Sequence, residues 1–231
     1  MNFNVITLFP EALEDMLSFG VIGRAIKDKR TKITFFNPRD WSENKHRRVD
    51  DRPFGGGAGM LMMYDPLYRT LMAIKDQDAD TRVIYLSPQG QPLKQPVCNQ
   101  LATVNSITLL CGRYEGVDQR FIDEHVDQEL SLGDYVISGG ELAAAVLIDA
   151  VSRQIPGVLG DETSAQDDSF MTGHLGYPQF TRSEILGQSG VPEVLLSGDH
   201  KKIAAWRVAQ ALERTKQRRP DLMEGTSEGS Q

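Results

Sequence analysis

Long hydrophobic runs are missing from this chain of 231 residues. The longest, from about Leu142 to Val151, is preceded by Glu141 and contains Asp149, whereas a membrane-spanning helix needs about 20 apolar residues. The N-terminus lacks a basic region followed by an apolar stretch and a small-residue cleavage site, since acidic residues begin at Glu11. We therefore expect no membrane span, no secretory signal and a cytoplasmic location.

Cysteine is scarce, and histidine is not clustered. Cys98 and Cys111 make neither a disulfide framework nor a metal set, and we interpret both as reduced thiols in the core of a cytoplasmic protein. The four histidines are scattered without the spacing of a ligand group. The sequence therefore predicts no structural metal site.

Two common phosphate-binding motifs are absent. No G-x-G-x-x-G follows a strand-like run, and no G-x-x-x-x-G-K-[ST] occurs. A dinucleotide-binding domain and a P-loop enzyme are excluded by these spacings. Any nucleotide-like ligand must be held in another way.

Positive charge is not in excess overall, but it is unevenly placed. The formal net charge of −7 argues against a uniformly basic nucleic-acid coat. Between residues 200 and 219, however, seven lysines and arginines face a single acid, Glu213, and a second basic cluster occupies residues 45–48. Each cluster alone could be a solvated face. Two of them on an acidic protein favour a polyanionic partner.

Strand-like and helix-like runs alternate up to about residue 154. A chain of this length suits one large domain, or one domain with a small appendage. The alternation is typical of an α/β domain with a mostly parallel sheet. The predicted strands are residues 3–8, 31–36, 82–87, 106–111 and 134–137. The predicted helices are residues 10–18, 21–29, 66–76, 93–103, 117–124 and 141–154.

Pro156 and Gly157 end the last of these helices, and the composition changes after Gly160. Residues 161–176 are polar without an apolar period and indicate an exposed linker. Helices are predicted again at 183–186 and 201–218, followed by a polar tail at 224–231. The predicted apolar face of the longer helix consists of Ile203, Trp206, Val208 and Leu212. The predicted organisation is a domain of residues 1–160, a linker of residues 161–176 and a small domain of residues 177–231.

Two glycine-punctuated stretches stand out. In residues 109–118 an apolar run breaks at Gly112 and Gly116, and in residues 132–142 a run breaks at Gly139 and Gly140 before an Ala-rich helix. A strand that ends in glycine leaves bare backbone that a ligand can approach. One such loop is usually an ordinary strand-to-helix turn. Two such loops, both containing tyrosine and acidic residues, predict a ligand-binding pocket.

These stretches and several others resemble the bacterial tRNA (guanine-N1)-methyltransferases. The resemblance spans nearly the whole chain in the expected order. It implies an enzyme that uses S-adenosylmethionine to methylate N1 of the guanosine immediately 3′ of the tRNA anticodon. The further matching segments are residues 5–10, 37–40, 49–60, 85–90, 155–160, 168–170 and 195–198.

The resemblance also implies a fold that the hydrophobic pattern could not reveal. In this family the α/β sheet carries a deep C-terminal trefoil knot of the SPOUT type, an exception to the rule that folds are unknotted. The cofactor sits bent in the knot, and a small all-α C-terminal domain binds tRNA. The resemblance further implies a homodimer with a composite active site, in which the linker carboxylate of one subunit completes the cofactor pocket of the other.

The S-adenosylmethionine contacts implied by the resemblance lie in the two glycine stretches and one neighbouring strand end. An adenine needs backbone donors and acceptors beside an apolar wall, which residues 132–137 could provide. A carboxylate such as Glu115 suits the cationic sulfonium, while Tyr135 could equally be a buried strand aromatic. The expected contacts are Ser87, Pro88, Gly112, Tyr114, Glu115, Leu132, Gly133, Asp134, Tyr135, Val136, Ile137, Gly139 and Gly140.

Asp168 is the residue expected to act on the base. Guanine N1 must lose its proton before it can attack a methyl group, and a nearby carboxylate can accept that proton. Asp167 is equally acidic, and an acidic pair in a polar linker is usually only solvated, but the family pattern Asp-Ser-Phe selects Asp168. Arg153 maps to the family's catalytic arginine, which would stabilise negative charge at guanine O6. Its alternative is a surface arginine favoured by the helix dipole.

The remaining candidates concern RNA. The segment Gly55–Gly59 alone would be a flexible loop or a phosphate cradle; beside three arginines and within the family pattern, we expect it to order against RNA or a partner subunit. The predicted tRNA contacts are Asp50, Ser169, Lys201, Lys202, Arg214 and Lys216.

Two points concern the family pattern. Its members are associated with magnesium, and the sequence leaves open a divalent ion near Glu115 and Asp168. Where the family has an acidic residue and then Cys-Pro-His, this chain has Gly176 in place of the acid and Gln179 in place of the histidine. We expect the reaction to be unaffected and the RNA contacts of this segment to differ.

Two other functions compete with this interpretation. A non-catalytic RNA-binding or ribosome-assembly factor could keep the knotted fold, but it would lack the pair Arg153 and Asp168. A related knotted enzyme that methylates ribose would need no base for a ring nitrogen. The segment 168–170 argues against that alternative.

Overall fold

A parallel sheet of five strands organises the first part of the chain. In the computed structural model, the chain divides into two units, residues 1–160 and residues 161–231, and the structure describes residues 1–160, 165–166 and 168–224. The strands are β1 Asn2–Ile6, β2 Lys32–Phe36, β3 Asp50–Asp51, β4 Leu61–Met62, β5 Arg82–Pro92, β6 Ser106–Cys111 and β7 Gln128–Ser131. The main sheet has the order β2-β1-β6-β5-β7 with every neighbouring pair parallel, and β3 and β4 form a separate antiparallel pair.

Helices cover both faces of this sheet, as parallel sheets require. In the first unit these helices are α1 Pro10–Leu17, α2 Gly20–Lys27, α3 Tyr64–Lys75, α4 Gln95–Leu101, α5 Gln119–His125 and α6 Gly140–Ser152, with a 3-10 helix at Pro38–Trp41. The described residues of the second unit include α7 Glu193–Leu196, α8 His200–Arg218 and α9 Asp221–Glu224. The first six agree with the predicted helices to within two residues at each end.

Alternation along the strands divides the core into two layers. Ile84 and Leu86 of β5 pack with α1, α2, α4 and α6, while Val83 and Tyr85 face α3 and α5. Every residue of β6 is buried, because this strand lies in the middle of the sheet. The predicted α/β class with a mostly parallel sheet is confirmed.

The strand predicted at residues 134–137 is wrong. Those residues form an irregular loop, and the strand before it, β7, lies at Gln128–Ser131. Tyr135 and Val136 have the side chains of a strand but are 59% and 82% exposed, so Tyr135 is not a buried strand aromatic. The sequence of β7 has weak strand character, and its position is set by pairing with β5.

In the second unit, the structure describes the long helix α8, the short helices α7 and α9, and several turns. The predicted helix at 201–218 is confirmed as α8, which Asp199 caps by accepting hydrogen bonds from the amides of Lys201 and Lys202. The short helix predicted at 183–186 is wrong. Ser183 to Gly187 is a turn in which the Gly187 amide donates to the Ser183 carbonyl at 2.9 Å, and the positive φ of Gly187, 56°, favours glycine there.

The predicted apolar face of α8 is only partly correct. Ile203 and Trp206 are half-buried, and the Trp206 ring lies 6.5 Å from the ring of Phe180. Val208 and Leu212 are instead 61% and 39% exposed. The buried residue of this helix is Thr215, whose hydroxyl accepts a hydrogen bond from the Leu175 amide at 2.9 Å.

Several predicted features lie outside the described residues, namely Asp167, the linker positions 161–164 and the tail beyond Glu224. Among the residues that are described, no helix is both long and apolar enough to span a membrane.

Candidate functional site

A cleft opens where β6 and β7 end and where β5 bulges away from its neighbour. Its volume is about 210 Å³. The carboxyl ends of parallel strands are the usual place for ligands in open α/β sheets. Of the predicted cofactor residues, the cleft gathers all except the exposed Asp134: it is lined by Ser87, Pro88, Gly112, Tyr114, Glu115, Leu132, Gly133, Tyr135, Val136, Ile137, Gly139 and Gly140.

The middle of β5 reaches this cleft because the strand leaves its pairing with β7 there and resumes it at Gln91. Leu130 of β7 pairs with both Leu86 and Gln91, so the residues between them bulge away from the sheet. Ser87 is buried at the start of this bulge, and its hydroxyl accepts a hydrogen bond from the Gln89 amide at 3.1 Å. The bulge therefore puts a fixed polar group and the ring of Pro88 at the cleft wall.

The loop after β7 forms an apolar wall. Gly133 has a φ of 156°, and its amide donates to the Ser131 hydroxyl at 3.2 Å. A Cβ added to Gly133 would lie 2.7 Å from the ring of Tyr135, so the ring covers bare glycine backbone. The loop thus combines an exposed aromatic face with accessible peptide groups, the combination that an adenine-like ring needs.

Gly140 lies in the cleft for a different reason from the one expected. It is buried, its amide donates to the Gly112 carbonyl at 2.9 Å, and an added Cβ would lie 2.6 Å from the Cα of Cys111. Protein backbone, rather than a ligand, occupies the space beside this glycine. A larger side chain at position 140 would therefore meet the backbone of Cys111.

A buried ion pair, which sequence reasoning missed, fixes the mouth of the cleft. Glu141 in the first turn of α6 is 3% exposed. Its carboxylate accepts hydrogen bonds from Arg113 Nε at 2.8 Å and from the Thr7 hydroxyl at 2.7 Å. Arg113 also donates to the Ser138 carbonyl at 3.2 Å. The sequence feature that could have indicated this pair is a charged residue, Glu141, in the first turn of an Ala-rich helix.

The glycine stretch after β6 is tied to residues that precede α3. Tyr114 has a positive φ of 61° and is 46% exposed. The Glu115 amide donates to the Met60 carbonyl at 2.9 Å, and the Met62 amide donates to the Gly116 carbonyl at 2.9 Å. The segment that contains Glu115 is therefore held by the end of the Gly55–Gly59 loop.

The two predicted catalytic residues lie in different units. Arg153 follows α6 directly and is half-buried, a position where the helix dipole favours a cation. Asp168 belongs to the second unit and is exposed. Its neighbour Ser169 accepts a hydrogen bond from the Gly176 amide at 2.8 Å, which closes a turn around Phe170.

The predicted RNA contacts are distributed over both units. Asp50 is half-buried in β3, where it pairs with Met62 of β4. On α8, Lys201, Lys202 and Lys216 are exposed and Arg214 is half-buried. Lys202 also contacts Asp199 at 3.3 Å.

The described part of the chain contains no group of three or more His, Cys, Asp or Glu side chains that could hold a metal ion together. Cys98 and Cys111 are free and buried. Burial raises the pKa of the Cys111 thiol well above its ordinary value, and the nearby carboxylate of Glu141 raises it further.

Known proteins resemble this chain over nearly its whole length. The sequence profile described as tRNA (Guanine-1)-methyltransferase TrmD matches residues 1–225. A tRNA (guanine-N(1)-)-methyltransferase of Vibrio vulnificus (strain YJ016) is 54% identical over 225 residues, which cover 97% of this chain and 90% of the relative. The protein of that name from Nitrosospira multiformis is 51% identical over 227 residues, 96% of this chain and 89% of the relative. Because the match extends over both units, the chain belongs to the tRNA (Guanine-1)-methyltransferase family.

Proposed function

We propose that this chain methylates N1 of the guanosine immediately 3′ of the anticodon in tRNA, with S-adenosylmethionine as the methyl donor. The observation that carries the proposal is the family match over residues 1–225. The cleft supports it independently, since residues far apart in sequence, from Ser87 to Gly140, meet at one sheet edge.

The cleft fits S-adenosylmethionine chemically. Residues 132–137 offer peptide groups and apolar side chains to an adenine, and Glu115 offers a carboxylate to the cationic end. Bound there, the cofactor supplies a methyl group carried on a positively charged sulfur. The protein's own contribution is to hold and orient the donor against a wall that the loop and the Ser87 bulge make rigid.

The reacting base needs a proton acceptor and a stabiliser of charge. We assign the first role to Asp168, whose carboxylate would accept the N1 proton. Arg153 would stabilise the negative charge that moves to guanine O6, because a guanidinium is always charged and presents several donors.

The deep trefoil knot and a helical tRNA-binding domain belong to the same proposal. Two features support the knot: Leu130 pairs with β5 on both sides of a bulge, and the α6 N-terminus packs against the backbone of β6 at Cys111. For the second domain, α8 supplies a long helix with exposed lysines near both ends. Phosphate contacts position RNA without reading its sequence.

A homodimer completes the proposed site. Leu142 and Val146 lie one turn apart on α6 and are 54% and 50% exposed, although the rest of this helix is largely buried. Such an apolar stripe on a core helix suits a two-fold interface. Since Arg153 closes the same helix, a second subunit placed there would bring its own residues close to the first subunit's arginine.

Magnesium takes no part in the proposed steps. The described residues provide no cluster of three metal ligands. No reaction step is therefore assigned to an ion.

The test is mass spectrometry of nucleosides from tRNA incubated with the purified chain and labelled S-adenosylmethionine. Labelled 1-methylguanosine is the expected product. Labelled 2′-O-methylnucleoside would replace the proposed function with ribose methylation. Tight tRNA binding without any labelled nucleoside would indicate a non-catalytic RNA-binding protein instead.

A further inference from the structure

Phe54 is an apolar ring that packs against almost nothing. It is 98% exposed, more than any other large hydrophobic residue of the first unit. A phenylalanine normally gains from removal of its ring from water, so complete exposure forgoes that stabilisation. A ring in this position is available to a partner.

The backbone around Phe54 holds the ring away from the protein. Pro53 precedes it, and Gly55, Gly56 and Gly57 follow with positive φ angles of 83°, 78° and 124°. A Cβ added at any of these glycines would meet nothing within 4 Å, so this stretch stands in open space. Glycines in this conformation let the chain turn back sharply after the ring.

The end of this loop is anchored beside the cleft. The Met60 carbonyl accepts the Glu115 amide, the Met62 amide donates to the Gly116 carbonyl, and the Asp118 amide donates to the Met62 carbonyl at 3.0 Å. An added Cβ at Gly59 would lie 2.3 Å from the side chain of Glu115, a cleft residue. The loop that carries Phe54 therefore leaves from the edge of the cleft.

Charge around the loop favours a polyanion over an apolar protein surface. Residues 45–52 contain Lys45, Arg47, Arg48 and Arg52 against two acids, Asp50 and Asp51. The side chains of Arg47 and Arg48 are 67% and 46% exposed and form surface ion pairs with Asp40 and Asp51. Exposed ion pairs are weak, so a phosphate can compete for these arginines. An exposed ring beside cationic side chains is the arrangement by which proteins hold single-stranded nucleic acid: bases stack on the ring and phosphates meet the cations.

We propose that Phe54 is a nucleobase-stacking residue for the RNA substrate. An unpaired base next to the methylated position stacks on its ring while nearby arginines contact the adjoining phosphates. Unstacked bases of RNA loops are the usual partners of protein aromatics. The inference rests on the proposed function, because the anchoring of the loop places the stacked base near the cofactor cleft.

The experiment compares Phe54→Ala, Phe54→Leu and Phe54→Trp with the wild type. The probe is a tRNA transcript that carries guanosine 3′ of the anticodon, and affinity is measured with and without S-adenosylmethionine. Stacking on one aromatic residue is worth roughly 5- to 150-fold in affinity. Phe54→Ala and Phe54→Leu should both lose tRNA affinity in this range, whereas Phe54→Trp should keep the affinity of the wild type. Cofactor affinity should be the same in all four proteins.

Two controls separate stacking from other effects. Phe19→Ala removes another exposed ring, 71% exposed, and should leave tRNA affinity unchanged. Arg52→Gln should reduce the slope of log affinity against log salt by about one, whereas Phe54→Ala should leave that slope unchanged because it removes no charge. In Phe54→Trp, the fluorescence of the added indole should be quenched when the tRNA binds. The fluorescence of Trp41 and Trp206 is measured in the wild-type protein and subtracted.

Several results would overturn the assignment. Full affinity in Phe54→Leu would mean an apolar contact rather than ring stacking. A change of oligomeric state in Phe54→Ala by sedimentation would place the ring in a protein interface. If the wild type methylates tRNA and Phe54→Ala binds it equally well, the stacking proposal fails and the proposed function stands. If the wild type neither binds nor methylates the transcript, both fail.

Discussion

The guanidinium of Arg113 and the carboxylate of Glu141 form a 2.8 Å ion pair that joins the end of β6 to the start of α6. Arg113 also lies 4.4 Å over the ring of Phe9, and Glu141 accepts a hydrogen bond from Thr7. The pair therefore connects the segment after β1, the glycine stretch after β6 and the cleft loop. It is the main polar support for the geometry of the cleft.

Removal of one partner of this pair should be strongly destabilising. Glu141→Ala leaves a partly buried guanidinium without its carboxylate, and breaking a buried pair in this way costs about 3–5 kcal/mol. Urea denaturation measures the change. Arg120→Met is the matched control, because the Arg120 side chain that pairs with Asp118 is 67% exposed and its removal should cost no more than about 1 kcal/mol. Equal losses in the two variants would show that the Glu141 pair is no more important than a surface contact.

The cleft glycines should separate into one that supports the fold and one that supports binding. Gly140→Val forces a side chain into the Cys111 backbone and should prevent stable folding. In Gly133→Val the new side chain meets only the movable Tyr135 ring, although a φ of 156° is unfavourable for valine. This variant should remain folded by circular dichroism yet lose S-adenosylmethionine binding by calorimetry. Gly160→Ala, in open space, is the neutral control.

The basic face of α8 should give tRNA binding a steep salt dependence. Each phosphate contact contributes about 0.7–0.9 to the slope of log affinity against log salt. Glutamine at Lys201, Lys202, Arg214 and Lys216 should therefore reduce the slope by roughly 3 and leave cofactor affinity unchanged. Glutamine at the exposed lysines 27, 29 and 32 of the first unit is the control. An unchanged slope in the α8 variant would assign these residues to a merely solvated helix.

Asp168→Asn should remove the proposed general base while keeping a side chain of the same size. Methyl transfer should fall on the order of 10²–10⁴-fold, with much smaller changes in tRNA and cofactor affinity. Single-turnover kinetics separates the two effects. Turnover close to that of the wild type would remove Asp168 from the mechanism.

The same variant tests the composite site. When Asp168→Asn is co-expressed with Gly133→Val, only a heterodimer can join an intact cleft on one chain to an intact carboxylate on the other. Purified heterodimers should therefore recover activity that neither variant has alone. If they stay inactive while both chains bind tRNA, the cleft and the base lie on one chain or both sites must be intact.

The two thiols should be inert in the native protein. Burial raises the pKa of both Cys98 and Cys111, and thiolate is the reactive form. Alkylation by iodoacetamide at mildly alkaline pH should therefore be slow in the folded protein and fast in urea, as followed by mass spectrometry. Rapid modification of native Cys111 would contradict its burial.

The local elements of this protein followed from its sequence because their signals are local. The helices α1 to α6 lie within two residues of the bounds predicted from the sequence pattern, and β6 was predicted to the residue. The position of the cleft could also be predicted. Gly112 and Gly139 interrupt apolar runs in the sequence, and ligands commonly bind at the carboxyl ends of parallel strands.

Tertiary structure decided what local signals cannot encode. The strand β7 exists because β5 offers it a partner, whereas residues 134–137, with better strand formers, have none and remain a loop. Position 140 must be glycine because the backbone of Cys111 leaves no room for a side chain. Glu141 accepts a hydrogen bond from Thr7, which lies 134 positions away in the sequence. Such contacts depend on which segments the sheet order brings together. That order is fixed by the packing of the whole core, so no window of sequence contains it.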